Sequence, residues 1–444
     1  MSDTVHHNPA VKRPPWYRSV GPALITACVV FGPGSLLISS NIGARHGYDL
    51  LWMLLITGVL MGTYTTMAAR IGVVGGRTPC TLLAERLGRP VAAIVGINLC
   101  LICTAFQFSN NLAVAAAADT LGLARLFGDP AEMSQRTQAF ISSGFLVFFN
   151  ILIIALTFLL KQVYHVIERL MKVMVAVILI CFLVNLFVAG PAILDILKGL
   201  IPGLPDGMSL ALPKRTPDGI FYPMLVVASL LGTTFSVAGA FYQGNLVREK
   251  GWSVGDYDRS IGDSIGGVTV LTGVSAIIMI SSATVLQGKP ADDISVLASQ
   301  LRPLLGPTTH TLFCIGLFAV AMNPFVINAM IGGSILADGL GKPATLSDKW
   351  SRRLTVVVLL VGMSVAMIVL HTPVKKLDAI IFGQALTVVG NPLMAAAILY
   401  LANQQSIMAN RRNRLIHNIL GGIGFLVVLF MAIRVLTLLV LKLR

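Results

Sequence analysis

The sequence predicts an all-α polytopic membrane protein, built as one bundle of eleven helices. Three observations predict it. Of 444 residues, 55% are hydrophobic and only 12% are charged, whereas a soluble domain carries about 25% charged residues. The mean hydropathy is +0.82. Apolar runs of about 20 residues, the length that a bilayer-crossing helix needs, recur between charged or Pro/Gly clusters along the whole chain. These figures exclude a soluble enzyme, a disordered chain and a coiled coil.

In chain order the runs lie at 18–45, 49–70, 91–122, 138–160, 165–190, 219–247, 262–287, 309–338, 353–371, 376–402 and 415–441. The connections are mostly short, so 18–444 reads as a single transmembrane domain. Residues 1–17 read as a polar cytoplasmic tail, without the short apolar core or small-residue cleavage site of a signal peptide. The longest connection, 191–218, holds Pro191, Pro202, Pro205, Pro213 and Pro217. It is expected to be irregular and outside the membrane.

Lys and Arg outnumber Asp and Glu by 33 to 19. In a soluble protein that excess suggests nucleic acid. Here the basic residues gather at helix ends, where they meet anionic lipid, so the expected contact is membrane lipid and not nucleic acid. With the N-terminus inside, the inner segments carry twenty of these cations and the outer segments twelve. The positive-inside rule therefore favours a cytoplasmic N-terminus in the plasma (inner) membrane. Arg434 lies within the last run and is expected to snorkel or to face an ion-pair partner in the bundle.

The first run is interrupted by Gly32-Pro33-Gly34, followed by Ser35. Proline lacks an N–H and glycine permits non-helical backbone. Five helices later, the sixth run holds Gly232-Thr233-Thr234, Ser236 and Gly239. Alone, the first pattern is also that of a simple proline kink and the second that of small-residue helix packing. Together, at corresponding places five helices apart, they point to a binding site between inverted repeats. The repeats are 18–190 and 219–402, with 415–441 as an extra helix. Both breaks are expected near the midplane, at 32–35 and 233–239.

The remaining candidates are polar groups in apolar runs. Gln384 precedes Asn391-Pro392 in the tenth run, and Asn323-Pro324 suggests a further break in the eighth. Gln107, Asn110 and Asn111 form a polar patch in the third. Each amide either bonds a neighbouring helix or lines a cavity. Asp119 and Asp338 lie towards helix ends, where solvation is the plain account. Cys100 and Cys103 form a CxxC in an uncharged stretch and read as small core residues, not a redox or metal site. The seven histidines form no metal cluster, and no HExxH, P-loop or GxSxG context is present. No cofactor is implied, and the chain does not read as an enzyme.

At these residues the chain resembles a known family. Residues 21–52, GPALITACVVFGPGSLLISSNIGARHGYDLLW, resemble without a gap the first helix of the NRAMP family of proton-coupled divalent metal transporters. The family pattern there is roughly GPG, an apolar stretch, DPGN, then small residues to GYxLLW. Gln384 precedes Pro392 at the family's glutamine–proline spacing, and 316–339 resemble its eighth helix. The resemblance covers helices one to ten and implies the LeuT-type fold: five plus five inverted helices and an eleventh. It also implies departures. The family's metal-binding Asp falls on Gly32 and its Asn on Ser35. Its metal-binding Met falls on Ser236, and its two sixth-helix histidines fall on Ala238 and Gln243. The acidic proton-path positions of the third helix fall near Phe108 and Asn111. Only the glutamine, Gln384, is retained.

Anionic and soft-sulfur ligands are thus replaced by hydroxyls or by nothing. Thioether favours soft transition metals, so the expected cause of Mn²⁺ or Fe²⁺ selectivity is missing, and a dication has no counter-charge. Three functions stay open. The first is a secondary transporter of a divalent metal cation, bound partly hydrated by the Gly32 carbonyl, Ser35, Thr233, Ser236 and Gln384. The second is a transporter of a small neutral or zwitterionic solute. The third is a non-transporting membrane sensor of the same fold. Proton coupling through the central site is not expected, because proton relays use Asp, Glu or His.

Overall fold

The computed structural model describes residues 31–129, 132–158, 161–205, 207–217, 219–289 and 293–443. The tail and the first half of the first run, with Cys28, lie outside the described residues. Every other run is helical, the sixth and tenth as two helices each. They are α1 (Pro33–His46), α2 (Leu51–Gly75), α3 (Pro79–Leu87), α4 (Arg89–Thr120), α5 (Gln135–Phe158), α6 (Lys161–Ala189) and α7 (Ile193–Gly199). Then follow α8 (Leu225–Thr234), α9 (Val237–Glu249), α10 (Tyr257–Leu286), α11 (Ile294–Ala298) and α12 (Thr309–Gly339). The last four are α13 (Lys349–Leu370), α14 (Lys376–Leu386), α15 (Asn391–Asn403) and α16 (Leu415–Leu443). Among the described residues, nine helical segments are long and apolar enough to cross a membrane. A tenth arises if α6 and α7, bent by 117°, count as one broken span.

The described part of the first run is a helix that starts at Pro33, and the sixth run is two half-helices. Pro33 opens α1 and Gly32 before it is extended, at φ −108° and ψ 171°. Proline suits that first position because its missing N–H has no helical partner there. The break in the sixth run is confined to Phe235 (φ −103°, ψ 53°) and Ser236 (φ −74°, ψ 87°). It lies inside the expected window, but Gly239 is not part of it. Gly239 sits in the first turn of α9, where its N–H bonds Ser236 Oγ at 3.3 Å. The tenth run stays helical through a tightened turn at Thr387–Gly390 that joins α14 to α15.

Several expectations are corrected. Pro324 lies within a continuous α12 and makes no break; neighbouring helices let membrane proteins keep such prolines. The sixth run begins at Leu225, because Gly219–Phe221 is a strand paired antiparallel with Lys214–Thr216. The 191–218 connection is therefore only partly irregular, holding α7 and one strand. Asp119 is not simply solvated: it pairs with Lys376 and accepts the Ser142 hydroxyl at 2.9 Å. Asp338 is buried and accepts the Thr81 hydroxyl at 2.9 Å. Arg434 neither snorkels nor meets an acid. Fully buried, it donates to the carbonyls of Ser209, Leu210 and Ala211, and stacks near the rings of Tyr222 and Phe430. It fastens the connection before α8 to the last helix. Burial pushes the Tyr222 hydroxyl up in pKa, opposed by the Arg434 guanidinium.

The core that positions the site is made of paired helices. α1 and α2 pack on α10, α2 also packs on α9, and α4 packs on α12, α13 and α14. The α1–α10 contact is close. A Cβ on Gly43 would stand 2.2 Å from the Met279 carbonyl oxygen, so only glycine lets these two backbones meet.

Candidate functional site

A cavity of about 350 Å³ lies where α1 and α9 begin. Gly32, Ser35, Thr233, Ser236 and Gln384 all line it, together with Gly34 and Gly239. The two half-helices put the first four there. Gln384 comes from α14, which is drawn in by two glycines. A Cβ on Gly34 would stand 2.4 Å from Gln384 Nε2, and one on Gly232 would stand 2.2 Å from the Gln384 carbonyl oxygen.

Much of the oxygen at this site is already engaged. The Gly32 carbonyl accepts the Leu36 N–H at 3.3 Å, leaving one lone pair. The Thr233 hydroxyl donates to the carbonyls of Leu230 and Ser229 at 3.1 and 3.2 Å. Ser236 Oγ caps α9. The Phe235 carbonyl, freed by the break, accepts the Asn391 amide at 3.3 Å. Gln384 is different. Its side chain is 1% exposed, and its Oε1 is buried with no hydrogen-bond partner. Leaving such an acceptor unmade costs about 1–3 kcal/mol. A ligand that reached this oxygen would recover that cost.

The electrostatics of the centre come from backbone. α1 and α9 both start at the cavity, so each presents the N-terminal end of its dipole, equivalent to roughly half a positive charge, while α8 ends there and presents one C-terminal end of opposite sign. α9 then runs away along the cavity wall. Ser236, Gly239, Gln243, Leu246 and Lys250 line it at spacings of three and four residues, which is one face of a helix. At 1.5 Å rise per residue, Lys250 is about 21 Å from Ser236. Asp263 and Ser264 of α10 stand opposite at this mouth, where the Gln243 amide reaches the Ser264 hydroxyl at 3.5 Å.

The other end is shut. Ser282 of α10 donates to the Ser40 carbonyl of α1 at 2.6 Å, and Gln300 donates to the Ser40 hydroxyl at 2.8 Å. Asn185 of α6 ties in the Ser281 hydroxyl at 2.7 Å and the Gln300 carbonyl at 3.0 Å. Residues 263 and 282 lie roughly 28 Å apart along α10, so the open mouth and the closed end are at opposite ends of that helix.

Sequence reasoning separated this wall only in part. Of the third-helix patch, Asn110 lines the cavity, while Gln107 bonds the Phe325 carbonyl and Asn111 bonds Asn150 at 2.7 Å. Met61, Tyr242, Asn328 and Asp263 also line it and were not expected. The three- and four-residue spacing from Ser236 to Lys250 was the available signal for the α9 face. Among the described residues, no group of three or more His, Cys, Asp or Glu side chains could hold a metal ion.

Comparison with known proteins agrees with this architecture. A family model described as natural resistance-associated macrophage protein-like (Nramp) matches residues 23–438. A divalent metal cation transporter MntH of Verminephrobacter eiseniae is 24% identical over 89% of this chain and 83% of its own length. One from Deinococcus radiodurans is 23% identical over 91% and 86%. Among solved structures, a manganese transporter of Eremococcus coleocola aligns over 98% of this chain and 88% of its own, with a TM-score of 0.69 and 20% identity. A nucleobase–cation symport-1 family transporter in a closed conformation aligns over 95% and 91%, with a TM-score of 0.54 and 13% identity. The fold is thus the LeuT type, with inverted five-helix repeats and an eleventh helix. Helices of this kind, matched along nearly their whole course, place the chain in the Nramp family of integral membrane transporters.

Proposed function

We propose that this protein is a secondary transporter that moves a divalent metal cation by alternating access, with its N-terminus in the cytoplasm. The observation that carries the reading is the convergence of Gly32, Ser35, Thr233, Ser236 and Gln384 on one cavity at two half-helix junctions. The relatives are named as divalent metal cation transporters, which supports the class of cargo. The remaining donors are a carbonyl, hydroxyls and an amide. Such oxygen ligands suit hard cations, and a cation held by them keeps part of its hydration shell. With the N-terminus inside, the mouth near Lys250 and Asp263 faces the cytoplasm. The conformation is then inward-open, with α1 and α10 shut on the other side.

One observation favours a second cargo. The N-terminal ends of α1 and α9 both meet the cavity, and they attract a carboxylate rather than a cation. A small zwitterion would suit them. Uptake into proteoliposomes separates the two. Saturable Mn²⁺ or Mg²⁺ uptake, with thermal stabilisation by the same ion, is expected. Stabilisation by amino acids, with no metal uptake, would transfer the reading to the zwitterion. Neither response would leave a non-transporting sensor.

A further inference from the structure

Among the described residues that line the cavity, Lys250 and Asp263 carry the formal charges, and they pair with each other at its mouth. Lys250 Nζ donates to Asp263 Oδ2 at 3.2 Å. The Asp263 side chain is only 7% exposed, against 29% for Lys250. The ammonium also lies 4.6 Å from the centroid of the Trp252 ring, and Arg259 approaches the same ring at 5.3 Å. This differs from an ordinary surface pair such as Lys198–Asp195, whose partners are 75% and 50% exposed. Exposed pairs of that kind contribute little.

We propose that Asp263 is a second cation station at the mouth of the cavity, held in this conformation by the Lys250 ammonium and taken over by a divalent cation in transit. The inference rests on the cation reading above. Three features of the geometry support it. The centre offers oxygen atoms but no formal negative charge, and two helix N-termini, against the single C-terminus of α8, leave it partially positive. α9 reverses that sign along its length: its C-terminal carbonyls end at Lys250, and the C-terminal end of a helix dipole attracts cations. A cation leaving the centre along the α9 face therefore moves down its dipole towards a nearly buried carboxylate. Finally, the station already holds a cation, and that cation can be released. Lysine is a flexible point charge with no bidentate grip on a carboxylate, so its ammonium can leave Asp263 for water while it stays beside the Trp252 ring when a dication arrives. The Arg259 guanidinium on the same ring opposes occupancy, which keeps the station weak enough to empty.

The test is Mn²⁺ binding, measured by isothermal titration and by loss of the free Mn²⁺ paramagnetic resonance signal. It uses the full chain, Lys250→Gln, Asp263→Asn and the double variant, each first shown to be monodisperse. Lys250→Gln is expected to add a second Mn²⁺ per chain, at least tenfold tighter than any mouth binding in the parent. The double variant is expected to lose that ion, and 0.5 M NaCl to weaken it. Equal stoichiometry in Lys250→Gln and the parent, with central binding intact, overturns the station and leaves the cation reading standing. One ion per chain in Lys250→Gln, lost in the double variant, where the parent binds none supports the station and overturns the cation reading at the centre. No Mn²⁺ binding in any variant overturns both.

Discussion

Gly43→Ala is the sharpest probe of alternating access here. The new Cβ would stand 2.2 Å from the Met279 carbonyl oxygen and 2.9 Å from both the Ala283 nitrogen and the Ser282 Cβ. Heavy atoms pack at roughly 3.5 Å, so α1 and α10 must part by about 1 Å. Two of the three obstacles are backbone atoms, which cannot rotate aside as a side chain does. Overpacking of this size costs about 1–3 kcal/mol. That cost falls on the conformation with α1 and α10 shut and is absent where they are apart. The equilibrium should therefore shift towards the state open at this end by roughly 5- to 150-fold. Spin labels at Asp49 and Lys289, both exposed just beyond the two helices, report it by double electron–electron resonance in nanodiscs. The parent should give one short distance, and Gly43→Ala a longer component that dominates. A folded Gly43→Ala protein with an unchanged distance distribution would refute the reasoning, and a lower melting temperature alone would reduce the glycine to packing.

Four further outcomes are expected. Arg434→Met removes a guanidinium that holds three carbonyls, so thermal stability should fall by about 1.5–3 kcal/mol, with faster proteolysis between 200 and 222; unchanged proteolysis would mean that the connection is held elsewhere. Gln384→Leu removes a buried amide whose oxygen has no partner, so stability should hold or rise while Mn²⁺ affinity falls about tenfold, or 1.4 kcal/mol; retained affinity in titration counts against Gln384 as a ligand. The triple change Gly32→Asp, Ser35→Asn and Ser236→Met should raise Mn²⁺ and Cd²⁺ affinity at least about tenfold, although losing the Ser236 cap costs about 1 kcal/mol; unchanged titration curves would favour the zwitterion. Mn²⁺ uptake should proceed without substrate-dependent acidification of a pH-sensitive dye inside the vesicles; robust acidification would point to a relay elsewhere, with Asp119 examined first.

The fold was legible because spans are long and repetitive. Each described run from the second to the eleventh is helical to within a few residues of its apolar limits, apart from the break in the sixth and the strand that takes its start. The break in the sixth run was legible only because the first run carries a matching one; its site, Phe235–Ser236, follows from the serine's capping of α9 and not from Gly239. What stayed hidden has specific causes. α3 and the strand pair are short segments whose amphipathic pattern is lost between long apolar neighbours. Asp263 drew no notice, since the lysine that pairs with it lies thirteen residues away on another element. Gly32 looked like a position that needs glycine, yet its extended backbone is open to any L-residue. Arg434 found carbonyls where an acid was sought, and backbone partners leave no mark in sequence.

The contacts that shut the far end, from Ser40, Asn185, Ser281, Ser282 and Gln300, are hydroxyl, amide and carbonyl groups. None of them gains or loses a proton in the physiological range, and mobile ions screen charges, not neutral dipoles. These contacts therefore add no dependence of their own on external acidity or salinity to the opening of this end. The mouth, gripped by an ammonium on a carboxylate, should loosen as ionic strength rises. One molecule then has two doors of different temperament: one set by packing and temperature, the other by the electrolyte that bathes it.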